Sequence, residues 1–279
     1  MSEKKNILVA DGGSGKVDWL FWSEPNTPPV RYQTGGLNPL VLTSDEMAVE
    51  MRSALQLTDV KHIYFYGASC ITPERNAVVE KAFQHVFPGV PVTVNHDLTA
   101  AGRALWQRES GVAAILGTGS NCGLYNGEHI TRQMNSLGYI IGDEGSGADI
   151  AKHLLRGYFY GAFSSALTKK LSKKIPDNVI DLIYNAKKPN HELASLTQIA
   201  GAFIHEPEIQ EVVKDSLNKF VHLHLKSLAG TEKKVGFVGS VAHYFHALLK
   251  EELHNAGFER VKILRRPVDE LLKYHVENE

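Results

Sequence analysis

Short apolar runs alternate with helical patterns along the first part of the chain. The runs have the length and composition of buried strands and lie at residues 6–10, 17–22, 30–33, 62–66, 92–95 and 112–116. Apolar positions at helical spacing occupy residues 43–56, 73–86 and 98–107 between them. Thr43 and Glu46 form a capping-box pattern, and Pro73 after Thr72 is typical of a helix start. This alternation predicts sheets covered by helices.

The opening pattern returns at residue 112, where a strand leads through a glycine-rich turn into an extended segment at residues 122–125. The remainder is more helical. Helices are expected at residues 146–159, 179–184, 192–203, 207–228 and 242–255, and strands at residues 235–238 and 261–264. The repetition predicts two similar α/β domains, 1–110 and 111–267, with a last helix at 268–279 joining the first domain.

Composition narrows the classes of function. Charged residues make up 22% of the chain and the formal net charge is -1, so no basic field is available to hold nucleic acid or an anionic membrane. No run approaches the roughly 18–20 apolar residues that span a bilayer, and the first residues lead directly into a strand, which predicts a cytoplasmic protein. Cys70 and Cys122 lie far apart, and His222 and His224 point to different faces of a helix, so we expect reduced thiols and no metal cluster.

A glycine-rich turn follows the first strand and contains Asp11, Gly12, Gly13, Ser14, Gly15 and Lys16. Glycines allow backbone N–H groups to approach a phosphate, Lys16 adds a positive charge, and Asp11 is suited to hold Mg²⁺ through water. For one such segment taken alone, a flexible hairpin turn is the favoured explanation. It is not a P-loop, because its Gly-Lys pair leads into a strand.

A second turn of the same kind contains Gly117, Thr118, Gly119, Ser120 and Asn121. Two such hairpins, one from each half, are suited to grip the β- and γ-phosphates of one nucleotide. The pair therefore favours phosphate binding over two unrelated turns.

Three further segments carry candidate chemistry. Asp97 follows a strand and precedes a helix, a position that suits either a general base or an N-cap. Asp143 lies in Gly-Asp-Glu-Gly-Ser, where it can bind sugar hydroxyls or belong to a solvated turn, while Ser146 can cap the next helix. Gly239 and Ser240 join a strand to a helix, which suits either a nucleoside or close packing.

Together these segments resemble the N-acetylglucosamine kinase family over almost the entire chain. That family belongs with the BadF/BadG-type ATPases and has the α/β fold of actin, hexokinase and Hsp70: two ribonuclease H-like (actin-like ATPase) domains around a central cleft. The likeness rests on the order of Asp11-Gly-Gly-Ser-Gly-Lys, Asn38, Asn95-His-Asp97, Leu116-Gly-Thr-Gly-Ser-Asn121, Gly142-Asp-Glu-Gly-Ser146 and Val238-Gly-Ser240.

The resemblance implies a role for each segment. Asp97 matches the catalytic base, residues 12–16 and 117–119 match the two phosphate-binding hairpins, and Gly239 with Ser240 matches the adenosine segment. The residues that match the sugar side are Asn38, Thr118, Asn121, Gly138 and Asp143. The implied reaction transfers the γ-phosphoryl of Mg-ATP to N-acetylglucosamine, giving the 6-phosphate, and a homodimer is the usual form of such relatives.

Two departures bear on activity and specificity. Gly15 and Val17 stand where the family usually has hydroxyl residues, and each missing charged hydrogen bond is worth about 1.5–3 kcal/mol. Leu137 replaces a tryptophan on the sugar side. Alternatives therefore stay open: a kinase for N-acetylmuramic acid or glucosamine, an ATPase that activates radical dehydratases, or a sugar-binding protein with little catalysis.

Overall fold

The computed structural model describes residues 5–13, 15–24 and 27–278. Ser14, one of the predicted phosphate-binding residues, lies outside the described residues. The chain divides into two compact units, the first comprising Met1–Gln107 with Pro267–Glu279 and the second Arg108–Arg266.

The elements of the described residues follow one another as strands and helices. The strands are β1 Ile7–Gly12, β2 Lys16–Trp22, β3 Val30–Gly35, β4 His62–Gly67, β5 Val92–His96, β6 Gly111–Leu116, β7 Ser120–Tyr125, β8 Ile130–Gln133, β9 Lys234–Val238 and β10 Arg260–Leu264. The helices are α1 Ser44–Ala54, α2 Pro73–Val86, α3 Asp97–Trp106, α4 Gly138–Ile141, α5 Gly147–Phe159, α6 Ser165–Leu171, α7 Val179–Tyr184, α8 Pro189–Ala202, α9 Pro207–Lys219, α10 Lys226–Ala229, α11 Ser240–Tyr244, α12 His246–Asn255 and α13 Val268–Asn278. A π-helical turn, Phe220–Leu225, joins α9 to α10.

The first unit is built on a five-stranded mixed sheet. Its order is β3-β2-β1-β4-β5, with β1 to β3 antiparallel and β4 and β5 parallel to β1. Alternate strand residues, such as Leu8, Trp19 and Phe65, are buried against Met47 of α1 and Phe83 of α2. The ends of β1 and β5 therefore lie near the carboxyl edge of the same sheet, with β4 between them.

Local signals explain the helices of this unit. Thr43 accepts a hydrogen bond from the Glu46 backbone N–H while the Glu46 carboxylate accepts one from Thr43, so the predicted capping box is confirmed. α13 packs on α3, β1 and β2. It buries His275, which stacks on Tyr64 with ring centroids 3.7 Å apart and hydrogen-bonds to the Tyr66 hydroxyl at 2.8 Å. Burial lowers the pKa of His275 to about 3, so this imidazole is neutral in the core.

The second unit repeats the same sheet order, β8-β7-β6-β9-β10, again with two antiparallel and two parallel strand pairings. Its core is larger because α5, α8 and α9 pack on one another. The α/β fold class predicted from the sequence is confirmed by these two mixed sheets.

Two predicted helices are interrupted. The helix expected at 207–228 is α9, the π-helical turn and α10 in succession. The helix expected at 242–255 is α11 and α12, separated at Phe245, whose side chain is buried. Among the described residues, every helix is too short or too polar to cross a lipid bilayer.

Candidate functional site

The first glycine-rich turn connects β1 to β2. Gly12 is required at its position because a Cβ there would lie 3.0 Å from both the Phe65 ring and the Tyr66 carbonyl oxygen. Gly13 and Gly15 are exposed. Lys16 does not extend away from the sheet, since its Nζ lies 2.8 Å from the Asp18 carboxylate. Its charge would therefore have to be shared with Asp18 if it served a phosphate.

Asp11, near the end of β1, lies close enough to Asp97, at the start of α3, for the negative charge of Asp97 to act on it. Burial, then the negative charges of Asp97 and Asp18, raise the pKa of Asp11 to about 7, although Lys16 opposes them. Burial and Asp97 likewise raise the pKa of the Cys70 thiol to about 12. Asp11 and Asp97 thus form an acidic pair at the carboxyl edge of the first sheet, a place where a cation or a transferable proton would be stabilised.

Asp97 is the first residue of α3 rather than its N-cap. His96 occupies the N-cap position, and no side chain caps this helix. The interpretation of Asp97 as an N-cap is therefore wrong. His96 Nε2 lies 2.9 Å from Asp97 Oδ1, and about a quarter of the Asp97 side chain is exposed (25%), so the carboxylate can reach a ligand.

The acidic pair also fits Mg²⁺, which the sequence resemblance implies. Among the described residues, no group of three or more His, Cys, Asp or Glu side chains is arranged to hold a metal ion alone. Mg²⁺ usually keeps several waters and binds through one or two carboxylates and the substrate phosphates. Asp11 therefore suits an ion that arrives with a nucleotide, and a bound cation would lower the pKa of Asp11 again.

Asn38 stabilises its own turn. Its Oδ1 accepts a hydrogen bond from the Leu40 backbone N–H at 2.9 Å. The side chain is half-buried, and its remaining amide group is the part that a ligand could use.

The second glycine-rich turn, residues 117–119, connects β6 to β7 and is tied to the start of α5. Gly147 N–H donates to the Gly117 carbonyl at 2.8 Å, and Ala148 N–H donates to the Thr118 carbonyl at 3.3 Å. Ser146 caps α5 through its hydroxyl, which accepts from Asp149 N–H, as predicted. The hairpin is thus held in place by a helix with a well-formed start.

Asp143 lies in the loop between α4 and α5, and its carboxylate approaches this hairpin. The Ser120 N–H lies 3.4 Å from Asp143 Oδ1, and a Cβ at Gly119 would lie 2.9 Å from Asp143 Oδ2. Burial raises the pKa of Asp143, an effect that the Ser120 N–H and the Lys152 charge partly oppose. Asn121, on β7, has a buried Oδ1 that lacks a hydrogen-bond partner among the described residues. A polyhydroxylated ligand would satisfy such groups.

Gly138 begins α4, the single turn that leads to this loop. Its φ of +73° is in the region that favours glycine, and its carbonyl accepts a hydrogen bond from Gly142 N–H at 2.9 Å. Within the described residues, the backbone of Gly138 forms no turn or loop hydrogen bond with the backbone of Asp143 or Asn121.

A cavity of about 740 Å³ adjoins the hairpin at Gly117 and Thr118, within the second unit. It is lined by residues of the hairpin, α5, α8, α11 and the end of β10: Gly117, Thr118, Gly147, His191, Ala194, Ser195, Thr197, Gln198, Gly201, Ile204, Ser240, Val241, Tyr244, Phe245 and Arg265. Gly239 lies beside it with φ +128°, and a Cβ there would overlap the Leu116 carbonyl oxygen. The volume suits a nucleotide or a cofactor of similar size.

Comparison with known proteins gives a consistent result. An N-acetylmuramic acid/N-acetylglucosamine kinase of Clostridium acetobutylicum is 27% identical, over 93% of this chain and 94% of that protein. The crystal structure of a candidate N-acetylglucosamine kinase from Porphyromonas gingivalis superposes with a TM-score of 0.90 at 29% identity, covering 98% of this chain and 99% of that one. The predicted resemblance to N-acetylglucosamine kinases is confirmed.

A more distant structure shares the fold. A candidate N-acetylglucosamine kinase from Chromobacterium violaceum has a TM-score of 0.73 at 16% identity, with 97% of each chain covered. No protein-family profile matches the chain.

Within this kinase-like fold, most of the cavity lining was not predicted from the sequence. His191, Thr197 and Gln198 lie on α8, a helix that carries no recognisable motif. Arg265 follows β10, donates from Nη2 to the Tyr244 hydroxyl at 3.0 Å, and holds its guanidinium 5.4 Å from the Tyr244 ring centroid. The planar guanidinium is suited to stack on a base. A single arginine after a strand does not indicate such a role in the sequence.

Proposed function

We propose that the chain is an ATP-dependent sugar kinase that phosphorylates an N-acetylated amino sugar, with N-acetylglucosamine the leading acceptor and its 6-hydroxyl the attacking group. One observation carries this proposal. The hairpin at residues 117–119 borders a nucleotide-sized cavity through Gly117 and Thr118, and contacts the Asp143 carboxylate through Gly119 and Ser120. A turn that lies between a nucleotide and a sugar would bring the terminal phosphate close to the acceptor hydroxyl. Phosphoryl transfer depends mainly on such positioning.

In the proposed reaction, the oxygen of the sugar hydroxyl attacks the γ-phosphorus while Asp97 accepts the hydroxyl proton. ADP is the leaving group. The partial exposure of Asp97 and its place at the carboxyl edge of the sheet support this role. Bound Mg²⁺ would neutralise charge on the phosphates, and Asp11 would hold it through water. Asn38, Thr118, Asn121, Gly138 and Asp143 are assigned to the sugar.

The proposed nucleotide contacts come from both units. Gly12, Gly13, Ser14, Gly15 and Lys16 would serve the phosphates together with Gly117, Thr118 and Gly119, while Gly239 and Ser240 would adjoin the adenosine. Ser240 lines the cavity, which supports the adenosine assignment, whereas the close approach of Gly239 to Leu116 fits the alternative of close packing. We also propose that the protein is a homodimer and that it is located in the cytoplasm.

N-acetylmuramic acid is the second candidate acceptor. The name of the Clostridium relative includes it. Lys152 is a positive charge near Asp143, but its Nζ donates to the Tyr139 carbonyl at 2.8 Å and lies 3.7 Å from Asp149, so the carboxylate of such a sugar would have to share that charge.

The test is a panel of N-acetylglucosamine, N-acetylmuramic acid, glucosamine and glucose, with ADP formation coupled to NADH oxidation and Mg²⁺ present or chelated. We expect Mg²⁺-dependent ADP formation with at least one N-acetylated sugar and little without sugar. Sugar binding in calorimetry with no ADP formation would instead support a sugar-binding protein without catalysis. Two features of the first hairpin favour that alternative: Lys16 is paired with Asp18, and Gly15 stands in place of a hydroxyl residue.

A further inference from the structure

The loop that carries Asp143 has an unusual backbone. Asp143 has φ +58°, in the left-handed region that non-glycine residues seldom adopt, and Gly145 follows with φ +76°. Such a conformation persists only when neighbouring groups hold it. The position of the Asp143 carboxylate therefore depends on what fixes residues 142–145.

The backbone of the loop is held from α5 and α9. Gly145 N–H lies 3.3 Å from Asp149 Oδ2 and 3.2 Å from Ser216 Oγ, and the Ser216 hydroxyl donates to the same Asp149 oxygen at 2.6 Å. Both side chains are buried. This network fixes Gly145 but does not touch the side chains of Asp143 or Glu144.

The π-helical turn Phe220–Leu225 supplies the second support. A Cβ at Gly145 would lie 2.7 Å from Phe220 Cβ, so the loop lies directly on the first residue of the turn. His224, one turn later on the same side, contacts the Phe220 ring with centroids 5.7 Å apart and places Nε2 2.9 Å from Glu144 Oε2. Since a carboxylate only accepts hydrogen bonds, Nε2 carries the proton. π-helical turns are rare and occur frequently at functional sites.

We propose that the Glu144–His224 pair positions Asp143 for the sugar, so that His224 is a positioning residue for acceptor binding; this rests on the proposed function. His224 and Glu144 are both largely buried, with 17% and 23% of their side chains exposed, so the pair is shielded from bulk water. Loss of the pair leaves Gly145 anchored and the Asp143 carbonyl bonded to the Ser146 N–H at 3.1 Å, but it removes the bond through which His224 holds Glu144, the residue next to Asp143. Neither residue lines the cavity proposed for the nucleotide.

The test compares His224→Ala with His222→Ala, an exposed residue of the same π-helical turn. We expect His224→Ala to raise KM for the sugar about tenfold while kcat and KM for ATP change less than about twofold, and His222→Ala to change none of them. His224→Gln, which keeps a donor, should recover most of the sugar KM. The double variant with Glu144→Ala should be no worse than either single variant, because one interaction is removed only once.

Unchanged sugar KM in His224→Ala, or an equal effect of His222→Ala, would overturn the proposal. A general folding defect would raise both KM values and lower the melting temperature, and also counts against it. If the unaltered protein phosphorylates no sugar, the proposed function fails by itself. Hydrogen exchange at the amides of residues 143–145 then decides whether His224 holds the loop: faster exchange only in His224→Ala supports it, and equal exchange overturns it.

Discussion

The contact between Gly119 and Asp143 allows the sugar site to be perturbed by a single methyl group. In Gly119→Ala the new Cβ would lie 2.9 Å from Asp143 Oδ2 and 3.3 Å from its Cγ, whereas ordinary contacts begin near 3.4 Å. The hairpin cannot retreat easily, because Gly117 and Thr118 are hydrogen-bonded to the start of α5. The Asp143 carboxylate must therefore move.

The required displacement is about 0.5 Å. Because it falls on the end of a side chain, we expect a cost near the lower limit of the about 1–3 kcal/mol that overpacking typically costs. If about 1.4 kcal/mol of this appears in sugar binding, KM for the sugar rises about tenfold. The assay is coupled ADP formation at varied sugar and saturating ATP, repeated at varied ATP and saturating sugar. We expect KM for ATP to change much less than KM for the sugar.

Gly117→Ala is the matched comparison, since a Cβ at Gly117 meets no atom of the described residues within 4 Å. It should leave KM for the sugar unchanged, and any rise in its KM for ATP would report a phosphate close to the backbone. Equal sugar KM values for Gly119→Ala and Gly117→Ala would refute the placement of Asp143 at the sugar.

Two further predictions follow from the geometry. Gly239→Ala should lower the melting temperature by several degrees, because a Cβ would overlap the Leu116 carbonyl at a φ of +128°; an unchanged melting curve by calorimetry would contradict this. The pKa of Asp11 is raised from 3.8 to about 7, so the folded state binds the extra proton and the free energy of unfolding should fall as pH rises from about 4 to about 7. Asp11→Asn should flatten that slope in urea titrations without Mg²⁺, and a slope equal to that of the unaltered protein would refute the assignment.

Local chemistry made much of the fold predictable. The capping box of Thr43 and Glu46, Pro73 at the start of α2 and the repeated glycine-rich hairpins each act within a few residues, so the sequence pattern contains them completely. The repeated sheet order follows from the same hairpin in each unit.

Interruptions of helices were not predictable in this way. The segment 207–228 has continuous helical periodicity, and the π-helical turn at its end reflects packing of Phe220 against Gly145, a residue 75 positions earlier. Phe245 separates α11 from α12 because its side chain is buried in the core of the second unit. Both features depend on tertiary contacts that a local pattern does not contain.

The candidate site was predictable where motifs carry it. Asp143, Gly119 and Gly239 stand in glycine-rich segments that can be read directly, whereas Arg265 and the α8 residues reach the cavity only through folding. The sequence places Asp97 between a strand and a helix, as the structure does. It does not show whether His96 or Asp97 is the N-cap of α3, and the structure has His96 there.

The most direct test of the account is the turnover of Asp97→Asn, measured with saturating Mg-ATP and N-acetylated sugar, alongside calorimetric titration of the sugar. The asparagine preserves the size of the side chain and one acceptor oxygen but cannot take up the hydroxyl proton as a carboxylate does. We predict that kcat falls by about 10²–10⁴ while the sugar Kd changes less than about threefold. A kcat within about threefold of the unaltered protein would contradict the role of Asp97 as the base.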